Sequence, residues 1–458
     1  MTTRQSRREF IKRASALSFA CGAAPFALNL ASIGAASAQA AGGYRAIVCL
    51  FFFGGNDHTN TIIPYDPTEH AAYLNARTSI GHARDALTPT SIAPVASQGG
   101  RPFAFHPSLT TFKTLYDANK VAVVANVGPL IVPTSKTQYR NGSVPLPPKL
   151  FSHNDQQSGW QATTPVGEGA RLGWGGRMGD LLASQNGQTV FTCISAAGNA
   201  VFLSGRDVIQ YQVSSNGAVS ISAITGTLFG SSTAASAYQR VITRASPHLF
   251  EDELGKITSR SISANNLLAS ALLTAPAFAT PIPANNGLAS QLNIVARMIS
   301  ARGALTANRQ VFFVSLGGFD NHDNLLSEHN LRMQTVDSAV NAFYSWLQQI
   351  QMENSVTLFT ASDFGRTLTT NGDGSDHGWG SHHFVIGGAV QGGVYGTFPQ
   401  VQFNTNEDIG QGNLLPTTSV DQYAATFARW LGVADASVPD VMPNVVNFGT
   451  SRYLDFLV

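Results

Sequence analysis

Four runs in this chain are apolar at nearly every position: RAIVCLFFF (45–53), VAVVANV (121–127), QVFFVSL (310–316) and VTLFTA (356–361). A strand with one wet face alternates apolar and polar residues, so an unbroken run predicts a strand covered on both faces, as in a parallel sheet between helices. The stretch between the last two runs fits that reading. Residues 327–353 place Leu331, Val336, Val340, Phe343, Leu347 and Ile350 at helical spacing, which makes 310–361 a β-α-β unit. A weaker strand is predicted at 189–195, helices at 107–119, 156–161 and 259–273, and short strands within 201–219. The expected fold class is α/β, a mostly parallel sheet sandwiched by helices.

Three of those runs end in aspartate. Asp57 follows Gly54-Gly55-Asn56, Asp320 follows Gly317-Gly318-Phe319, and Asp363 follows Ala361-Ser362. A single aspartate at a strand end is ordinarily a turn former or helix cap. Three at the carboxyl ends of one sheet converge on the edge where open α/β sheets place ligands. The segment after Asp363 adds Asp376, His377, His382 and His383, read as one polar loop before a further apolar run at 384–388. Carboxylates and imidazoles so close repel or compete unless a cation organises them, and a divalent metal is the usual one. His322, two residues after Asp320, joins the expected ligand set. One or two ions are expected, from among zinc, calcium, magnesium and manganese.

The N-terminus combines paired Arg7-Arg8 within Ser6–Lys12, an Ala-rich apolar stretch at 14–33 and a small-residue site at Ala38-Gln39-Ala40. That combination is a twin-arginine export signal covering 1–40, with the translocation machinery as a partner and a periplasmic or secreted destination. A single domain at 41–458, of about 418 residues, is expected to follow it. No later apolar run reaches the ~20 residues a membrane helix needs, so no stable span is expected after cleavage. Formal net charge is +1 and only 12% of residues are charged, which disfavours nucleic acid and anionic membrane. Cys49 and Cys193 each lie inside an apolar run and read as buried thiols, not a disulfide framework.

Residues 196–308 are rich in Ser, Ala, Thr, Asn and Gly, include an extended APAFATPIP linker (275–283), and read as a cap or insertion. Ser152-His153-Asn154-Asp155 opens a short predicted helix. Ser152 there is either a cap or a hydroxyl nucleophile activated by metal. No G-x-S-x-G elbow, P-loop or dinucleotide fingerprint is present. Arg366 can bind a phosphate or sulfate bidentately, or form a salt bridge to Asp363 or to a helix end. His58 and Asp155 are candidates for orienting ligands, and Trp160, Trp174 and Trp379 for lining a pocket.

Seven segments carry a family resemblance: FFFGGNDHTNTIIPYD (51–66), the His106-Pro107 helix start, VAVVANVG (121–128), LFSHNDQQSGWQ (150–161), VSLGGFDNH (314–322), TASDFGRTLTTNGDGSDHGWGSHHFVIGGAVQGGVYG (360–396) and PTTSVDQYAATFARWLGV (416–433). In order and over nearly the whole exported part, they resemble domain-of-unknown-function family 1501, grouped with the alkaline phosphatase/sulfatase-like superfamily. The resemblance implies two divalent metals at the carboxyl ends of the strands, with a hydroxyl nucleophile beside them. It puts Asp57 in the place of the first-strand ligand and Ser152 near the nucleophile. Asp320 and His322 follow a ligand strand, Asp363 stands at the Asp-His strand end, and His382 or His383 resembles the last histidine ligand. Phe364 replaces that pattern's histidine, and Asp376-His377 can supply the missing pair.

Two functions follow from these readings. One is an exported metal-dependent hydrolase of a phosphate or sulfate ester, on a small molecule or glycan. The other is an exported binding or surface-assembly protein that keeps the fold with a degenerate site.

Overall fold

The computed structural model describes residues 43–164 and 169–458. The expected export signal and cleavage site, at 1–40, lie outside them. Fifteen strands occur among the described residues: β1 (Arg45–Phe52), β2 (Ile62–Pro64), β3 (Ser91–Val95), β4 (Arg101–Phe105), β5 (Val121–Gly128), β6 (Cys193–Ser195), β7 (Tyr211–Ser214), β8 (Gly217–Ala218), β9 (Arg309–Leu316), β10 (Val356–Ser362), β11 (Arg366–Thr370), β12 (Ser375–His377), β13 (Ser381–Ile386), β14 (Gly393–Tyr395) and β15 (Thr418–Ser419). The main sheet has the order β14-β5-β13-β10-β1-β9-β6-β7-β8, with β15 also on β5. β10, β1, β9, β6 and β7 are mutually parallel. β13 runs antiparallel between β10 and β5, which restores the common direction in β5. The sheet is therefore mostly parallel and lies between helical layers.

The apolar runs form strands because both of their faces are buried. Along β1, Ala46, Val48, Leu50 and Phe52 enter one core, while Ile47, Cys49 and Phe51 enter the other. The first core is covered by helices Thr110–Asp117, Gly287–Ser300 and Leu325–Gln349. Trp174–Leu182 and Val420–Leu431 cover the second. Each large apolar side chain so buried contributes about 1.5–3 kcal/mol against the cost of ordering the chain. Cys49 and Cys193 are free thiols in this core.

The boundaries shift where turn chemistry intervenes. The strand expected at 189–195 shortens to β6, because Thr189–Phe191 is a 3-10 turn. The helix expected at 156–161 starts earlier and spans His153–Ala162. The stretch 196–308 is of two kinds. Helix Gly287–Ser300 is core, with Leu288, Leu292, Val295 and Ile299 buried. Helices Ser232–Ile242 and Leu249–Thr274 instead expose Val241, Leu249, Phe250 and Leu254. No helix among the described residues is long and apolar enough to cross a membrane.

Candidate metal centre

The carboxyl ends of β1, β9 and β10 face one edge, and the loops leaving them meet there. Gly54 has φ +114°, and a Cβ on it would lie 2.4 Å from the Asp320 backbone nitrogen. A side chain there would push the β1 and β9 loops apart, so the Gly-Gly turn lets both aspartate loops share the edge.

Asp320 is the hub. His322 Nε2 lies 3.1 Å and His377 Nε2 3.2 Å from its Oδ1, and His153 Nε2 lies 3.5 Å from its Oδ2. The Nε2 atoms of His322 and His377 are 3.0 Å apart. The opposite nitrogen of two rings is held: His153 Nδ1 on Asp363 Oδ2 at 2.7 Å and His377 Nδ1 on the Phe151 carbonyl at 2.8 Å, while His322 Nδ1 lies 3.4 Å from Asp376 Oδ1. Metal-bound histidines are oriented in this way, with the far nitrogen donating to a carboxylate or carbonyl. One ligand atom each from His153, Asp320 and His377 falls within 4.8 Å of the others.

Protonation sharpens the point. A carbonyl only accepts, so His377 carries a proton on Nδ1, and when the ring is neutral its Nε2 lone pair faces Asp320. Burial, the largest influence, holds the His377 ring below the ordinary imidazole range, with His153 and Arg366 adding to it. Burial would raise the Asp320 carboxyl, but the Arg366 hydrogen bond and charge, with His153 and His322, hold it below its ordinary range. A lone pair and a carboxylate 3.2 Å apart repel unless a cation lies between them. The donor set fits a metal.

Asp363 serves this centre indirectly. Its Oδ2 accepts from Gly54 N at 3.1 Å, His153 at 2.7 Å and Gln157 Nε2 at 2.8 Å, and its side chain is fully buried. His153 and Gln157 lie four apart on one helix, so the same face grips Asp363 twice. The Asp363 hydrogen bond raises the pKa of His153 despite burial. Phe364, where a histidine was expected, packs its ring 4.9 Å from His153 and 4.6 Å from His377 and braces both.

Other expected site residues are placed elsewhere. Asp57 is buried in an ion pair with Arg77 and also accepts from Thr59 Oγ1 at 3.0 Å. Burial would raise its carboxyl, but Arg77, His329 and His58 outweigh that and hold it low. His382 and His383 are not in a loop: they are adjacent in β13, so they point to opposite faces of the sheet. His382 accepts from Asn126 N at 2.9 Å and stacks on Phe398, while His383 packs on Trp160 and Tyr423. Burial pushes the His383 ring down to about 3, as suits a neutral core side chain. His58 packs against His382 in the interior and orients no ligand of the centre.

Arg366 is fully buried, donating to Asp320 Oδ1 at 3.0 Å, Gly54 O at 3.1 Å and the Ser375 carbonyl. Its guanidinium is committed to positioning Asp320 and not exposed for an anion. The Ser152 hydroxyl donates to Asp155 Oδ2 at 2.8 Å and makes no cap hydrogen bond, while the next residue, His153, enters the centre. Trp160, Trp174 and Trp379 are core side chains and line no cleft at the centre. A cleft opens on His322, Asp376 and His377, lined also by Tyr139, Ile409, Gln411 and Asn413.

The sequence reading missed His153, Gln157 and Arg77. A signal for the first two existed, since histidine and glutamine four apart at a helix start share a face. Arg77 carried no local signal.

A profile of a family described as protein of unknown function, DUF1501, matches residues 44–441. No curated protein matches the chain. Among solved structures, a Bacteroides thetaiotaomicron protein described under metabolism of multiple glycosaminoglycans aligns at 11% identity, over 88% of this chain and 75% of its own, with TM-score 0.36. The lipoteichoic acid synthase LtaP from Listeria monocytogenes aligns at 9% identity, over 87% and 74%, with TM-score 0.33. Alkaline phosphatase from the Antarctic bacterium TAB5 aligns at 8% identity, over 76% and 93%, with TM-score 0.31. Scores this low carry no argument about chemistry.

Proposed function

The chain belongs to the DUF1501 family, and from that premise and the geometry of the centre we propose an exported, metal-dependent hydrolase of phosphate or sulfate esters. One observation carries the reading. Three histidines turn Nε2 toward a single aspartate, and two of them have the other nitrogen held by a separate acceptor. Imidazoles favour zinc-type ions over calcium or magnesium, which take oxygen donors. A bound cation supplies Lewis acidity to an ester oxygen and lowers the pKa of a nucleophile. The chain's own part is to hold that cation at the cleft: Asp363 and the Phe151 carbonyl fix two rings, and Arg366 fixes Asp320.

Ser152 is one candidate nucleophile, and its hydroxyl donates to Asp155 Oδ2; a water in the cleft is the other. The metal-loaded protein is expected to turn over at least one of an aryl phosphate, a phosphodiester or an aryl sulfate. Ser152→Ala abolishes that turnover at unchanged metal content if the serine attacks, and largely preserves it if water does. A second reading, a binding module, is favoured by the committed guanidinium of Arg366. No turnover across the panel with metal bound would assign the protein to it.

Export is proposed from the paired arginines. Replacing Arg7 and Arg8 with Lys should leave the precursor in the cytoplasm by fractionation, and normal export of that variant would defeat the assignment.

A further inference from the structure

We propose that this chain holds one exchangeable divalent cation, and that the buried guanidinium of Arg77 supplies the second positive charge that the family resemblance assigns to another metal. The inference rests on the metal reading above and sets its stoichiometry. A second ion would need the side chains the resemblance offers, namely Asp57, Asp363 and a β13 histidine. Asp57 is fully engaged, and although Asp363 Oδ1 and the Nε2 atoms of His382 and His383 are buried without a hydrogen-bond partner, among the described residues they fall in no common group of ligand atoms. Asp57 Oδ2 is paired with Arg77 Nη2 and Oδ1 accepts from Thr59, with no exposed side-chain surface on Asp57 or Arg77. Three donors converge on Asp363 Oδ2. His382 and His383 pack into opposite cores. Among the described residues, the group with three ligand atoms mutually within 4.8 Å is His153, Asp320 and His377.

Arg77 is built in as a fixed charge. It ends helix Pro67–Arg77, and its Nη1 donates to the Thr367 carbonyl at 2.6 Å and the Leu368 carbonyl at 3.4 Å. Those bonds aim Nη2 at Asp57. A buried carboxylate needs a cation beside it, and either a metal or a guanidinium can serve. A guanidinium stays charged at every working pH and cannot be removed by a chelator. Asp57 is thus neutralised whether or not metal is present, and only the histidine centre responds to metal supply.

Metal content of the full-length exported protein, saturated with zinc and dialysed, decides the matter by elemental analysis. One equivalent per chain is expected, and two would overturn the inference while leaving the hydrolase reading intact. None would remove both. Folded Asp57→Asn, checked by circular dichroism, should keep its single equivalent, and losing it would overturn the proposal. If that variant does not fold, the wild-type stoichiometry still decides.

Discussion

His377→Ala is expected to abolish zinc-dependent stabilisation. In the parent protein, zinc at about a hundred times its dissociation constant adds roughly 2.7 kcal/mol to folding, because only the folded chain assembles the centre. Removing His377 deletes the ring whose Nε2 lies 3.2 Å from Asp320 and 3.0 Å from His322, which leaves the pocket open on one side. Thermal melts of both proteins with and without zinc read this directly: the variant should melt at one temperature in either condition. Asp363→Asn should retain binding but weaken it about 10- to 100-fold, since Asp363 orients His153 and is not itself among the ligands. An equal zinc-induced shift in parent and His377→Ala would show that the ring is not a ligand.

Arg77→Met is expected to destabilise the protein by about 3–5 kcal/mol, because it strands the Asp57 carboxylate in the interior without its cation. The loss should appear in the urea midpoint at neutral pH. Adding Asp57→Asn to Arg77→Met removes the stranded charge, so the double variant should recover part of the loss and the two effects should not add. Strict additivity would mean that the pair is not coupled.

Much of the fold was legible because burial on two faces leaves a plain trace. The runs that became β1, β5, β9 and β10 are apolar at almost every position, and no other element accounts for that density. Periodicity found helix Leu325–Gln349 for the same reason. The direction of β13 was not legible, since an apolar run reads alike parallel or antiparallel. That strand matters, because it removes His382 and His383 from the loop where proximity in sequence had placed them.

Asp320, His322 and His377 were identifiable from residue type and from their position after apolar runs, and the fold brings them together. Asp57 and Asp363 were identifiable as strand-end residues and Arg366 as a site residue near Asp363, but not in the parts they take. A carboxylate can ligate, orient a histidine or pair with arginine, and these differ only by which group lies within about 3 Å. The chain alone therefore determined the parallel sheet, the edge on which its loops converge and the donor types collected there. Tertiary structure decided that Arg77 takes Asp57, that the helix starting at His153 delivers the further imidazole, and that alternation along β13 turns two adjacent histidines to opposite sides. Those outcomes depend on contacts between segments far apart in the chain, which no local pattern encodes.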